Sequence, residues 1–392
     1  MDFDRFEHSP IGRLVPVEVV EGERRWQHKA FLPRPLPTDR DLKQQTWRSV
    51  LAATAALSKL DGAVGKFPNP HLFVLPALIE EAVSTSALEG TNAAIEDVYQ
   101  ATLFDAEDLS DATAEVRNYV RAAEHGVEMI RSMPVVLRVI RETHGVLMRE
   151  GRGDHAEAGS FRRRQSWIGP RRRSPITDSF FVPPPGDAVE ALMNDWEAWV
   201  NRDSSTFPPV VRVALAHYQF ETINPFIDGN GRVGRLAAVL TLIADGQLQA
   251  PILNLSPYFE DRRQEHVERL RETSASGDLD SWIEFFADAV RAQSDRALAK
   301  AERLIAAQQD VVGRVHAARL RGVALRIAED LARSPFLTPT RAAKEYEVSY
   351  ETANTAIGRL VDVGVLTEIT GRSYGRVFSS PTIVALLYEN GA

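Results

Sequence analysis

Asn224-Pro225-Phe226-Ile227-Asp228-Gly229-Asn230-Gly231-Arg232-Val233-Gly234-Arg235 is the stretch from which the rest of this chain can be read. Pro225 disfavours the α conformation in the residue before it, so a helix rising from Pro209 to Thr222 must end at Asn224. Apolar positions at helical spacing resume from Val233 to Ala244, with Gly229, Asn230 and Gly231 as the bend between the two helices. Backbone N–H groups in such a bend, lying at the positive end of a helix, form a cradle for an anion. Asp228 stands just before it, where a carboxylate can hold a divalent cation bridging phosphates. Arg232 and Arg235, three apart on one helix face, supply guanidinium forks for phosphate oxygens.

Other readings of the same letters are weaker. Gly229, Gly231 and Gly234 satisfy the G-x-G-x-x-G spacing of a dinucleotide site, but the segment before them (Val211, Leu215, Tyr218) has a helical period and no βαβ unit surrounds it. An EF-hand fails because the fifth loop position would be Arg232 and the twelfth Val239. A glycine-rich interhelical turn with surface arginines stays open on spacing alone.

Working outward, the signal is mainly helical. Leu51, Ala55, Leu57 and Leu60 recur at helix spacing, as do Leu75, Leu78, Ile79 and Val83 before a stop at Gly90. Further helices are expected through Val116–Ala123, Val135–Leu147, 188–201 and about 280–308. Residues 1 to about 40 read as a proline-rich extended arm that must pack on something else to be ordered. Gln165 to Val182 is the only clear hairpin in the first 300 residues, closed by a Pro-Pro-Pro stop. After about 315 three short helices precede a strand–turn–strand over Leu366–Phe378, the outline of a winged helix-turn-helix. The expected division is a helical region over 1–115, a core over 116–300 and a winged helix-turn-helix over 315–392.

Composition bounds the function. With 392 residues, 44% hydrophobic and 26% charged, the chain can bury a large core in two to three domains. The absence of cysteine excludes disulfides, thiolate metal sites and a cysteine nucleophile. A net charge of −8 argues against a surface that coats nucleic acid or anionic membrane as a whole. There is no run of about 18 apolar residues and the N-terminus is acidic, so a cytoplasmic location without membrane contact is the expectation.

The stretch resembles the signature of the Fic (filamentation induced by cAMP) family, His-x-Phe-x-Asp/Glu-Gly-Asn-Gly-Arg-x-x-Arg, and eleven of its twelve positions agree. The likeness extends over about residues 30 to 290. Phe31–Pro37 and Leu57–Gly62 resemble the family's N-terminal region, Trp167-Ile168-Gly169 to Pro185 its β-hairpin flap, and Leu255–Phe259 the segment after the core. The resemblance implies a Fic-type helical core with a flap, an appended winged helix, and transfer of AMP from MgATP to a hydroxyl of a target protein or of the chain itself. In that frame Asp228 holds Mg²⁺. Gly229, Asn230 and Gly231 line the anion hole, Arg232 and Arg235 fix the remaining phosphates, and Gly234 completes the nucleotide site. Tyr258 and Asn254 are candidates for the base pocket by resemblance only, and Trp167 and Ile168 would dock a target strand by β-augmentation.

Thr85-Ser86-Ala87-Leu88-Glu89-Gly90 resembles the inhibitory motif Ser/Thr-x-x-x-Glu-Gly/Asn of members that carry their own inhibitor helix. Thr85 and Glu89 share a helix face, and a carboxylate beside Arg235 would occupy the γ-phosphate seat and hold ATP in a non-productive pose. Read from spacing alone, Glu89 merely caps or pairs within a helix bundle.

The departure is Asn224, where the family has the histidine that acts as general base. A carboxamide has no basic pKa near neutrality, and losing a positioned base costs about 10² to 10⁴ in rate, roughly 3 to 5 kcal/mol. His217, seven residues earlier and roughly 10 Å away along a helix, is expected to pack rather than to replace it. The chain is therefore either an impaired or slow transferase, a nucleotide-binding member that does not transfer, or an active enzyme in which Asn224 was introduced. The arginine runs Arg162–Arg164 and Arg171–Arg173 are expected to be solvated, with a role beside the flap in attracting an acidic segment. In the tail, Ser349, Thr352, Asn354 and Thr355, with Arg372 and Arg376 on the wing, are the candidates for DNA contact, and the same module could instead bind protein or form a homodimer.

Overall fold

The computed structural model describes residues 1–21, 24–65, 71–88, 90, 98, 110–149, 157–170, 174–202, 206–371 and 375–388. In chain order the body holds α1 (Phe3–Glu7), β1 (Gly12–Glu21), β2 (Arg24–Pro33), α2 (Gln44–Val64), α3 (His71–Leu88), α4 (Asp111–Ile130), α5 (Leu137–Leu147), α6 (Val189–Val200), α7 (Pro209–Ile223), α8 (Asn230–Ala244), α9 (Ser256–Asp261), α10 (Arg263–Ser276) and α11 (Leu279–Ala317). The tail holds α12 (Val323–Asp330), β3 (Phe336–Leu337), α13 (Pro339–Glu345), α14 (Tyr350–Asp362), β4 (Thr367–Glu368), β5 (Phe378–Ser379) and α15 (Pro381–Tyr388).

Helices α7 and α8 lie at the centre because they are apolar on nearly every side, as a helix surrounded by other helices must be. Two glycines let their neighbours come close. A Cβ on Gly126 of α4 would stand 2.8 Å from Leu240 of α8, and one on Gly234 of α8 would stand 2.5 Å from Glu221 of α7. Gly234 thus sits at a helix crossing rather than in the bend. Around this pair, α4 and α5 pack on one side, α2 and the first half of α11 on the other.

Two expectations about β structure need correction. The N-terminal arm is a regular antiparallel hairpin, β1 paired with β2 in register Gly12↔Pro33 through Glu21↔Arg24. Pro16 within an apolar run reads as a strand breaker, but here it lies on β1, the outer strand, where a missing N–H is tolerated. The flap, in contrast, shows one antiparallel bridge among its described residues, Ile168 to Phe181, with a 3₁₀ turn at Ile176–Asp178. Its outer side is taken by β2, whose Phe31 N–H donates to the Val182 carbonyl at 2.8 Å. Val17, Val19, Ala30, Ile176 and Val182 form a small core there, with Trp167 against it, so arm and flap are one apolar unit.

The tail runs helix, strand, two helices, then a hairpin, and β5 lies between β3 and β4 in a three-stranded antiparallel sheet. Helices precede a strand–turn–strand as expected, and β3 is a strand that the sequence did not announce. Ser349 caps α14 by accepting from the Thr352 N–H, the local reason for the tight turn at Val348-Ser349. Helix α11, 39 residues long, runs unbroken from the body into the tail, capped by Asp278 at its start. No described helix is long and apolar enough to cross a membrane.

Candidate nucleotide site

Helix α7 ends at Asn224 in the left-handed region, φ 50° and ψ 64°, which both Asn and His tolerate better than most residues. The reversal leaves the last carbonyls of α7 without helical partners, and Arg162 takes them. Its Nε donates to the Asn224 carbonyl at 2.7 Å, and its Nη2 donates to those of Ile223 at 3.1 Å and Pro184 at 2.8 Å. Its Nη1 donates to the Arg164 carbonyl at 3.2 Å. Arg162 is 1% exposed, so the expectation of a solvated run fails for this member, because the negative end of a helix offers a buried cation enough acceptors. Burial lowers its pKa to about 10, and it stays charged at neutral pH. Arg163 and Arg164 are exposed as expected, while Arg171–Arg173 lie outside the described residues.

The bend is braced from within by Asn230. Its Oδ1 accepts the Phe226 N–H at 2.7 Å, and its Nδ2 donates to the Phe226 carbonyl at 2.8 Å and to Asn224 Oδ1 at 3.2 Å. Gly229 follows Asp228 with φ +76°, where a Cβ would also meet Met148 Sδ at 3.1 Å. No side chain caps α8, which leaves its first-turn amides, from Asn230 onward, facing outward as the cradle requires. The Gly229 N–H donates to Asp228 Oδ1 at 2.8 Å, and Asp228 Oδ1 lies 3.9 Å from Arg232 Nη2.

The two motif arginines are both buried but face different partners. Arg232 lies between Glu115 of α4 at 3.8 Å and Met148 Sδ at 3.8 Å, and its buried Nε has no hydrogen-bond partner. Arg235 donates through Nε and Nη2 to Thr85 Oγ1 of α3 at 3.0 and 2.7 Å. The expected approach of α3 to Arg235 is therefore present at Thr85. Glu89 lies outside the described residues; Gly90 has φ +86°, the left-handed residue expected at the end of α3.

Three residues of this site escaped the sequence reading. Glu81, one turn before Thr85 on the same face of α3, is buried and accepts from Ser256 N–H at 3.0 Å and Ser256 Oγ at 2.6 Å. Burial raises its pKa to about 7 against the lowering effect of Ser256 and Arg235. Ser256 opens α9, the helix of Tyr258, whose ring packs edge-on to Phe285 beneath the Arg262 guanidinium. Asn254 is buried just before it. The signal for Glu81 was its spacing of four from Thr85. His144 of α5 contacts the Asp228 carbonyl at 3.0 Å; an imidazole on an apolar helix face carries no distinct sequence signal. Arg162 was hidden by its neighbours in the run. His217 behaves as expected, buried and stacked among Phe259, Trp282 and His266, with its pKa lowered to about 3 by burial and then by Arg235.

The donor set suits a triphosphate with magnesium. An outward-facing helix start, a glycine where a Cβ would crowd the bend, and a buried guanidinium with an orphaned Nε all fit anionic oxygens. Among the described residues no cluster of three or more His, Asp or Glu could enclose a metal alone. Asp228 offers the single carboxylate that Mg²⁺ commonly takes when phosphates complete its shell.

Fold and site together define a helical protein built around the uncapped start of α8. Residues 47–128 match the Fic/DOC family N-terminal region and residues 134–242 match the Fic/DOC family, and over this span the chain belongs to that family. It is 34% identical over 162 residues to the protein adenylyltransferase Fic of Drosophila yakuba, covering 41% of this chain and 29% of that one. To the protein of the same name from Drosophila melanogaster it is 32% identical over 161 residues, with the same coverage. The aligned part thus spans less than a third of those relatives. Its fold is similar to a Fic family protein from Desulfovibrio desulfuricans G20, with TM-score 0.56 and 20% identity over 88% of this chain and 98% of that one. It is also similar to a Fic domain containing signaling protein from Bacteroides thetaiotaomicron VPI-5482, with TM-score 0.51 and 19% identity over 64% and 95%.

Proposed function

We propose that the chain binds MgATP at the 224–235 bend and is a protein adenylyltransferase of Fic type, held back at two points. The observation that carries this reading is the uncapped start of α8 beside two buried arginines, one of them engaged by α3. The first-turn amides and Arg232 would bind phosphate oxygens, with Arg235 joining them once Thr85 withdraws. Asp228 would hold Mg²⁺, which shields phosphate charge and so eases attack at phosphorus. Asn224 lies where the attacking hydroxyl would surrender its proton, yet its carboxamide cannot take it and its Oδ1 is engaged by Asn230. The second restraint is α3, with Thr85 on Arg235, and Glu89, next in sequence after α3, as the inhibitory carboxylate. A target strand would dock on the Gln165–Gly169 side of the flap, since β2 occupies the Val182 side.

Labelled ATP tests this directly. The double variant Asn224→His, Glu89→Gly should label itself or a protein in lysate with AMP, at a rate about 10² to 10⁴ above that of Glu89→Gly alone. A double variant that binds MgATP and transfers nothing would defeat the transferase reading.

A second reading, a nucleotide-binding regulator without transfer, is favoured by Asn224 itself. Its tail, the unit from about residue 315, would bind DNA through α14, whose Tyr350 is 56% exposed and whose Thr352 and Thr355 face solvent. Arg376 is already engaged with Asn354 at 2.9 Å, which removes two of the candidate contacts, and Arg372 lies outside the described residues. A sequence-specific footprint that changes with ATP supports this reading; uniform weak binding, or none, ends it.

A further inference from the structure

The bend carries a weakness that its glycine creates. Turning over the peptide between Asp228 and Gly229 would reverse the Asp228 carbonyl and the Gly229 N–H and break the bond that this N–H makes to Asp228 Oδ1. That flip changes ψ of residue 228 and φ of residue 229, and glycine accepts either sign of φ, so the backbone alone does not choose. Something outside the bend must choose.

His144 meets the requirement. Its Nδ1 accepts the Gly159 N–H at 2.8 Å, which assigns the ring proton to Nε2. Nε2 then donates to the Asp228 carbonyl at 3.0 Å. The ring is clamped flat on Phe226, centroids 3.7 Å apart and planes within 4°, and the residue is 3% exposed. Gly159 is itself held at φ +77°, in a turn where a Cβ would stand 3.1 Å from the Arg141 carbonyl. In a planar trans peptide the C=O and the next N–H point in opposite directions. Holding the Asp228 carbonyl against His144 therefore aims the Gly229 N–H away from it, where it holds Asp228 Oδ1.

We infer that His144 is a positioning residue of the phosphate-binding bend, setting one peptide plane and through it both the Gly229 amide and the Asp228 carboxylate. This rests on the nucleotide-binding reading above. It goes beyond that reading because His144 is given no phosphate or metal contact there and acts through the Asp228 carbonyl.

Two variants separate orientation from packing. His144→Phe keeps a flat ring against Phe226 and loses both hydrogen bonds; His144→Gln loses the ring and keeps a donor within reach of the Asp228 carbonyl. With the full chain, His144→Phe should weaken MgATP binding by about tenfold or more, as one misdirected donor does, and leave adenosine binding unchanged. His144→Gln should stay within about threefold of wild type by the same measure. The reverse ranking, or equal losses for MgATP and adenosine, overturns the inference. Crystal structures of both variants decide it without nucleotide: the 228–229 peptide should be turned in His144→Phe and unturned in His144→Gln, and an unturned peptide in both overturns it. If the wild-type chain binds no MgATP, the nucleotide reading falls while the peptide orientation still decides the role of His144.

Discussion

Position 224 and the guanidinium beneath it are where single side chains matter most. The left-handed backbone at Asn224 suits histidine equally, so Asn224→His should fold without strain. Its imidazole would sit above Arg162, whose charge favours the neutral form that a base requires. Among the described residues Arg162 has no carboxylate partner and donates to four carbonyls, so its loss leaves several buried acceptors unsatisfied. Arg162→Met should destabilise the chain by about 3 kcal/mol or more in urea unfolding. A change below about 0.5 kcal/mol would show that water replaces the cation easily.

At the scale of elements, α3 is the helix that the proposed function requires to withdraw from Arg235. It is tied at three heights: Glu80 to Arg296 and Lys300 of α11 at 2.7 Å each, Glu81 to Ser256, and Thr85 to Arg235. Thr85→Ala should remove the hold of α3 on Arg235 and tighten MgATP binding severalfold by calorimetry; unchanged affinity would mean that α3 does not compete for this arginine. Glu81 makes the tie sensitive to pH. Its folded pKa, about 7, lies above the unfolded 4.5, so the folded state keeps the proton longer. Stability from this group is full below about pH 4.5 and lost as pH rises toward 7. Glu81→Gln should therefore match wild type near pH 4.5 and exceed it near pH 7.5 in unfolding free energy. Equal differences at both pH values would refute the assignment. Comparison with the variant is needed because buried His217 and His266, whose pKa values are lowered, push the other way as pH falls below about 6.5.

Across the whole molecule, α11 is the shared element. Its first half carries Trp282, Phe285 and Phe286 into the body, and its second half carries Leu304, Val311 and Val315 against Ile327 of the tail. An unbroken helix of this kind makes body and tail one cooperative unit, and α3 is bonded to the same helix through Glu80. Ala307→Pro, in the second half between Leu304 and Val311, should cost about 3 kcal/mol locally and split the single thermal transition into two. One transition, merely shifted, would mean that body and tail hold together without the helix.

The sequence by itself determined the helical class, the bend at 229–231, the end of α3 and the order of helices in the tail, while the approach of α3 to Arg235 came only from family resemblance. The first four rest on neighbours in the chain: helical period, a proline after Asn224, a Gly stop at 90, a serine cap at 349. Only the tertiary structure decided that Arg162 is a buried cap, that Gly234 serves a helix crossing, that the arm is a hairpin covering the flap, and that His144 and Glu81 belong to the site. Those depend on partners such as Glu221 for Gly234, Gly159 for His144 and Ser256 for Glu81, 13 to 175 residues away. Burial and pairing at such separations arise when elements pack, and no local pattern records them.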